Sequence, residues 1–202
     1  LPIYTDSLND CDLLFLAVPH GTSMDIIPEL DRQSTKIVDL AGDYRVSDRS
    51  MFESAYDMTH TDPDGLSEAV YGLVEHNEDE IRGADFVANP GCYVTSVLLP
   101  MILLAREGTI ESPFFVDSKS GISGAGRSPS ETTTFMNVND EVKPYNIGTH
   151  RHQSEMTFHL PGNHSLTFVP HVVSAERGIE SAIYARLDGT DLETVRGMLR
   201  HF

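Results

Sequence analysis

Lysine is almost missing from this chain: Lys36, Lys119 and Lys143 are the only three among 202 residues. With arginine the basic total reaches 14, against 31 aspartates and glutamates, for a formal net charge of −17. Such a surface cannot neutralise a row of phosphates, which excludes nucleic acid and anionic membranes as partners. A few arginines clustered locally can still hold one small anion. The excess acid reads as a solvating shell or as the mark of a salt-tolerant source. Cysteine is scarce too, and Cys11 and Cys92 lie too far apart in sequence for a C-x-x-C pair or a disulfide scaffold. No long hydrophobic run exists. The most apolar stretch, Val97 to Ala105, is too short to span a bilayer and contains Pro100. The opening Leu1-Pro2-Ile3-Tyr4 lacks the basic region and apolar core of a signal peptide, so the chain reads as soluble and cytoplasmic. No third and fourth ligand recurs at useful spacing around the histidines, so no metal site is expected.

What is present is an ordinary globular balance, 40% hydrophobic and 22% charged in 22.3 kDa, enough for one large domain or two small ones. Asp12 to Val18 is a continuous apolar run of the kind buried on both faces of a parallel sheet. It stops at Pro19-His20-Gly21, after which Thr22 or Ser23 is placed to cap a helix through Leu30. Lys36 to Leu40 and Phe86 to Ala88 read as further short strands, giving a doubly wound α/β pattern. No G-x-G-x-x-G fingerprint precedes the first strand, so an N-terminal βαβ unit is expected to be missing. After Cys92 the character changes. Tyr93 to Arg106 has helix length and closes at Gly108. Phe114 to Asp117, Ser165 to Val173 and Gly178 to Leu187 read as strands, separated by a long loop from Ser118 to Pro144. Thr190 and Glu193 have capping-box spacing for a last helix, and the stop at Phe202 suggests a C-terminal truncation. The domains are therefore placed at 1–91, part of a doubly wound sheet, and 92–202, an α+β unit.

Three segments carry candidate chemistry. Asn89-Pro90-Gly91-Cys92-Tyr93 sets a cysteine where a buried strand gives way to a helix. There the helix dipole and unpaired amides favour a thiolate and can steady an oxyanion formed by its attack on a carbonyl. Cys11 has no such context and reads as a core residue. Thr149-His150-Arg151-His152-Gln153-Ser154-Glu155 supplies two imidazoles for acid–base work, with Glu155 able to orient His152 if the turn is helical. Ser120 to Arg127 is a small-residue loop with amides free to meet a flat ring or a phosphate, and Arg177 between two strands suits a carboxylate or phosphate.

Taken in order, Phe15 to Gly21, Val38 to Arg45, Val70 to Leu73, Asn89 to Tyr93, Ser120 to Arg127, Tyr145-Asn146-Ile147, His150 to His152 and Glu176-Arg177-Gly178 resemble the N-acetyl-gamma-glutamyl-phosphate reductase family, within the aspartate-semialdehyde dehydrogenase superfamily. The resemblance implies a partial Rossmann-like parallel sheet followed by an α+β catalytic and dimerisation domain. It implies NADP-dependent reduction of an acyl phosphate to a semialdehyde, with release of phosphate, in a homo-oligomer. Cys92 matches the nucleophile, and His150 or His152 the acid–base residue. Arg177, Arg151, Asn89 and Glu155 are the expected substrate contacts. Pro19, His20, Gly21, Ser120, Gly121, Ser123, Gly124 and Ala125 are the expected cofactor contacts. The alternatives are a carrier-linked aminoadipyl or an aspartyl phosphate substrate, or a non-catalytic fragment unable to bind the cofactor.

Overall fold

The computed structural model describes residues 11–126 and 134–200. Two units pack separately, Leu1–Gly91 and Cys92–Phe202. In the first, β1 (Leu13–Leu16), α1 (Ser23–Ile26), a 3-10 turn (Ile27–Glu29) and β2 (Lys36–Asp39) lead to α2 (Arg49–Tyr56) and α3 (Pro63–Glu68). Then come β3 (Val70–Tyr71), α4 (Val74–Arg82) and β4 (Phe86–Ala88). The strands form one parallel sheet in the order β1-β2-β4-β3. Leu16, Met24, Ile27, Ile37, Tyr44, Leu66, Phe86 and Ala88 make its core. Local chemistry starts the helices: Asp48 accepts from Met51 N–H before α2, and Asp62 accepts from Gly65 N–H before α3, whose first residue is Pro63.

Two sequence expectations fail in this unit. β1 is not covered on both faces, because it is an edge strand among the described residues and Phe15 is 61% exposed. Neither Thr22 nor Ser23 caps α1: Thr22 has αR backbone and makes no side-chain cap, while the Ser23 hydroxyl turns inward to Asp39 and Asp43. A tertiary carboxylate pair has outcompeted the local amides.

The second unit runs α5 (Cys92–Arg106), β5 (Ile110–Ser120), a 3-10 turn (Ile122–Ala125), α6 (Phe135–Val138), β6 (Val142–Pro144), α7 (Arg151–His159), β7 (Leu166–Val173), β8 (Ile179–Leu187) and α8 (Leu192–Arg200). Its sheet is mixed, in the order β6-β7-β5-β8, with only β5 and β7 parallel. Along β5, buried Phe114, Val116, Ser118 and Ser120 alternate with the more exposed Phe115, Asp117 and Lys119, the period-two signature of one covered face. α5 packs on β5, β8 and α7. A chain of hydroxyls, Ser96 to Ser181 at 2.7 Å and Ser181 to Ser118 at 2.6 Å, ties that helix to the sheet.

Gly108, at φ +68°, ends α5 as the sequence suggests. The Gly108 N–H reaches Ala105 C=O and the Thr109 N–H reaches Leu104 C=O, the paired bonds of a Schellman motif. The capping box of the last helix is a misreading. Asp191 accepts from the amides of Glu193 and Thr194, whereas Thr190 is turned back to Asp188. A carboxylate one residue closer to the helix outcompetes the threonine.

Candidate active site

Cys92 is the first residue of α5, and its thiol is free and exposed. Cys11 is in no disulfide and is also exposed, which corrects the expectation of a core residue. β1 is too short and too exposed to bury it. Next to Cys92, Tyr93 turns inward and organises the site. Its phenol donates to the His171 carbonyl at 3.0 Å and accepts from the Tyr145 hydroxyl at 3.3 Å. Its ring meets those of His150, His152 and Phe168 at centroid distances of 6.0, 5.9 and 5.3 Å. Burial pushes both phenols above their ordinary range, and a negative charge on Cys92 acts in the same direction. Cys92, Tyr93 and Tyr145 therefore stand within electrostatic reach of each other.

The two histidines are unlike. His150 is the N-cap of α7, and its Nδ1 accepts from the His152 amide at 3.1 Å. That bond requires an unprotonated Nδ1, so the neutral ring carries its proton on Nε2. Burial, helped by the adjacent Arg151 guanidinium, holds the His150 pKa down to about 4. The ring is fixed by edge-on contacts with Tyr145, Phe168 and His152 at 5.5, 5.4 and 4.7 Å. His152 lies one step into α7, buried, with buried Glu155 one turn further along the same helix. The turn is helical, as an orienting role for Glu155 requires.

The remaining expected residues divide. Ser120 to Ala125 and Arg177 come together, because the amides of Gly121, Ile122 and Ser123 donate to the carbonyls of Gly178, Ala175 and Glu176 at 3.0, 2.9 and 3.1 Å. The approach is close enough to require glycine: a Cβ on Gly121 would lie 2.8 Å from Arg177 N. Those amides are engaged, so the loop is not an anion cradle. Exposed Ser123, Gly124 and Ala125 nonetheless present a surface without bulk. Arg127 lies outside the described residues. The Arg177 side chain is 80% exposed, with Glu176 at 3.6 Å, and so is not held as a preset clamp. In the first unit, the Gly21 amide donates to both oxygens of Asp43 at 2.8 and 3.0 Å, which withdraws it from any phosphate. His20 Nδ1 accepts from Gly42 N–H. Asn89 holds Arg45: its carbonyl accepts from Arg45 Nε at 2.7 Å.

Sequence reasoning missed Tyr93 and Tyr145 as site builders, and it missed the Asp39–Ser23–Asp43 network. Tyr145 belongs to the Tyr145-Asn146-Ile147 stretch of the family pattern, but nothing local tells a phenol aimed at a histidine from one lying in a core. Among the described residues, no group of three or more His, Cys, Asp or Glu side chains is arranged to hold a metal ion. No helix among them is long and apolar enough to cross a membrane.

Comparisons with known proteins place the chain in a family. Residues 2–84 match the model of the semialdehyde dehydrogenase NAD binding domain, and residues 92–202 that of the semialdehyde dehydrogenase dimerisation domain. An N-acetyl-gamma-glutamyl-phosphate reductase of Desulforapulum autotrophicum is 47% identical over 93% of this chain and 56% of its own length. One from Methanocaldococcus jannaschii is 44% identical over 84% of this chain and 50% of its own. The chain thus spans about half the length of the curated relatives it matches. In fold it resembles aspartate semialdehyde dehydrogenase II of Vibrio cholerae complexed with ASA, with a TM-score of 0.67, 15% identity, and 94% of this chain and 60% of that one covered. The enzyme of Candida albicans with NADP gives a TM-score of 0.60 at 14% identity over 95% of this chain and 56% of that one. Family models match both units, and in the second of them an exposed cysteine opens a helix whose next residue, Tyr93, packs on a buried histidine pair; the chain belongs to the semialdehyde dehydrogenase family.

Proposed function

We propose that this chain carries the acyl-transfer centre of an N-acetyl-gamma-glutamyl-phosphate reductase, which makes N-acetylglutamate semialdehyde for arginine biosynthesis. The observation that carries the reading is Cys92, exposed at the first position of a 15-residue helix and backed by Tyr93 on a pair of buried imidazoles. The relatives' name supplies the substrate. Thiolate Cys92 attacks the acyl carbon, the bond to the phosphate oxygen breaks, and phosphate leaves a thioester on Sγ. Amides of the first turn of α5 face the oxyanion formed on the way.

The histidines then divide the work. His150, neutral with Nε2–H, is a hydrogen-bond donor to the polarised acyl oxygen and cannot collect the thiol proton without losing its cap. His152, with Glu155 behind it, is the proton carrier. Arg177, exposed and unclamped, and Arg151 complete the proposed substrate contacts. NADP, when bound in its reduced form, supplies the hydride that takes the acyl group to the aldehyde. Ser120, Gly121, Ser123, Gly124 and Ala125 would line its ring end. Pro19, His20 and Gly21 would give it a rigid edge without amide donors. The partner is a second copy of the chain, in the cytoplasm, as the dimerisation-domain match suggests. Phe115 and Tyr184, paired across β5 and β8 and more than half of each or nearly so exposed, mark the sheet face for it.

The test is phosphate-dependent oxidation of N-acetylglutamate semialdehyde by the protein that contains this chain. Cys92→Ser is expected to abolish it and Cys11→Ser to leave it unchanged. Iodoacetamide at neutral pH should label Cys92 well before Cys11, and since both thiols are exposed, the difference reports chemistry rather than access. Equal activity of the two variants would overturn the nucleophile, and a preference for aspartyl phosphate would overturn the substrate.

A further inference from the structure

A second cluster of titratable groups lies in the first unit, behind the Pro19–Gly21 turn, and none of its own side chains has a role assigned above. Asp39 ends β2, and Asp43 lies in the loop that follows. Both are buried, as is Ser23 between them. The Ser23 Oγ is 3.0 Å from Asp39 Oδ2 and 2.8 Å from Asp43 Oδ2. A hydroxyl has a single proton and can donate to only one of two carboxylates. Both contacts are hydrogen bonds only if one carboxyl is itself protonated and donates to the serine oxygen.

The surroundings say which one. Asp43 accepts from the Gly21 amide through both oxygens, at 2.8 and 3.0 Å, and from the Met24 amide at 3.3 Å, so both of its oxygens already face donors and leave no place for a further proton without displacing an amide. Asp39 has one amide, from Ala41 at 3.0 Å. Its register partners on β1 and β4 are Leu16 and Ala88, which offer no charge. Among the described residues, the charged and titratable groups that face it are Asp43, Arg45 and Tyr44, from the following loop. Arg45 is drawn aside to the carbonyls of Asn89 and Leu40, and the Tyr44 phenol donates to Asp62.

We propose that Asp39 and Asp43 share one proton through the Ser23 hydroxyl, and that this proton seats the Pro19–Gly21 turn. The proton resides on Asp39, Ser23 accepts from it and donates to Asp43, and Asp43 grips the Gly21 and Met24 amides. Burial, with the Asp43 charge adding to it, is consistent with this, since together they lift the Asp39 pKa from 3.8 to about 6. Below that pH the relay is complete. As pH rises through it, Asp39 ionises, two anions face one hydroxyl, and the hold on the turn loosens. The inference concerns the turn itself and does not depend on the function proposed above.

The test is carboxyl-carbon NMR of the full chain, with the Asp39 signal followed from pH 3 to 8. A midpoint near 6 is expected. Asp39→Asn, whose amide can donate to Ser23 as the acid does, provides the second measurement. In the wild type, exchange of the Gly21 amide, corrected for base catalysis, should accelerate above pH 6, and in Asp39→Asn it should stay flat. A midpoint near 3.8 for Asp39, or the same Gly21 pH dependence in both proteins, would overturn the proposal. If the variant does not fold, the wild-type titration decides alone.

Discussion

Replacing His150 with asparagine separates two roles that the structure gives one ring. Asparagine keeps an oxygen at the N-cap position of α7, so the His152 amide keeps its acceptor and the helix loses little. The imidazole and its titration disappear. In the wild type the folded-state pKa is held down to about 4 from the ordinary 6.5. The unfolded chain therefore binds more protons between those values. Stability from this ring is fully present above pH 6.5 and is lost as pH falls toward 4. A depression of that size is worth about 3 kcal/mol once both states are protonated, and roughly 2 kcal/mol is already gone at pH 5.

Asp39 works in the opposite sense, because its folded pKa is raised to about 6 and its contribution is lost as pH rises through that value. The two must therefore be read apart. They lie in different packed units, so urea denaturation followed by hydrogen exchange can resolve α7 from β2. His150→Asn is expected to lose ring packing at every pH. The diagnostic is the slope. Between pH 7 and pH 5 the α7 amides of the wild type should lose protection that the variant retains. Parallel stability–pH curves for the two proteins would refute a neutral, buried His150 and the donor role that follows from it.

Two further predictions follow from close contacts. Gly121→Ala forces a Cβ to within 2.8 Å of Arg177 N and 2.9 Å of Ala175 O. It should destabilise the second unit by upwards of about 1 kcal/mol on urea denaturation and speed exchange of the Ile122 and Ser123 amides; wild-type stability would show that the approach is looser than described. At the last helix, Asp191→Ala should cost about 1 kcal/mol through loss of its cap, while Thr190→Ala stays within roughly 0.5 kcal/mol of the wild type. The reverse ranking would reinstate the threonine as the cap.

Most of the elements could be read from the chain because their causes are local. Apolar runs bounded by glycine and proline marked β2, β4 and β7 to within a residue or two, and Gly108 marked the end of α5. Cys92 was legible for the same reason: a strand, a turn and a helix start in immediate succession. Two of the readings that failed turned on competition between a local partner and a distant one. Ser23 had amides at hand and chose carboxylates 16 and 20 residues away. The loop after Ser120 had free amides on paper, and the turn between β7 and β8 claimed them.

Sequence by itself determined the acidic surface, the alternation of strands and helices, and the order of motifs that brings Cys92 and the histidines into one family pattern. Tertiary structure alone decided which imidazole stays neutral. Whether His150 holds a proton depends on its burial among Tyr93, Tyr145 and Phe168, and on an amide that α7 presents only when folded. Tyr145 and Phe168 come from a loop and a strand on either side of α7 in the chain, and Tyr93 from a helix more than fifty residues earlier. Solvation and hydrogen-bond geometry of that kind exist only once distant segments meet, and no pattern within one segment encodes them.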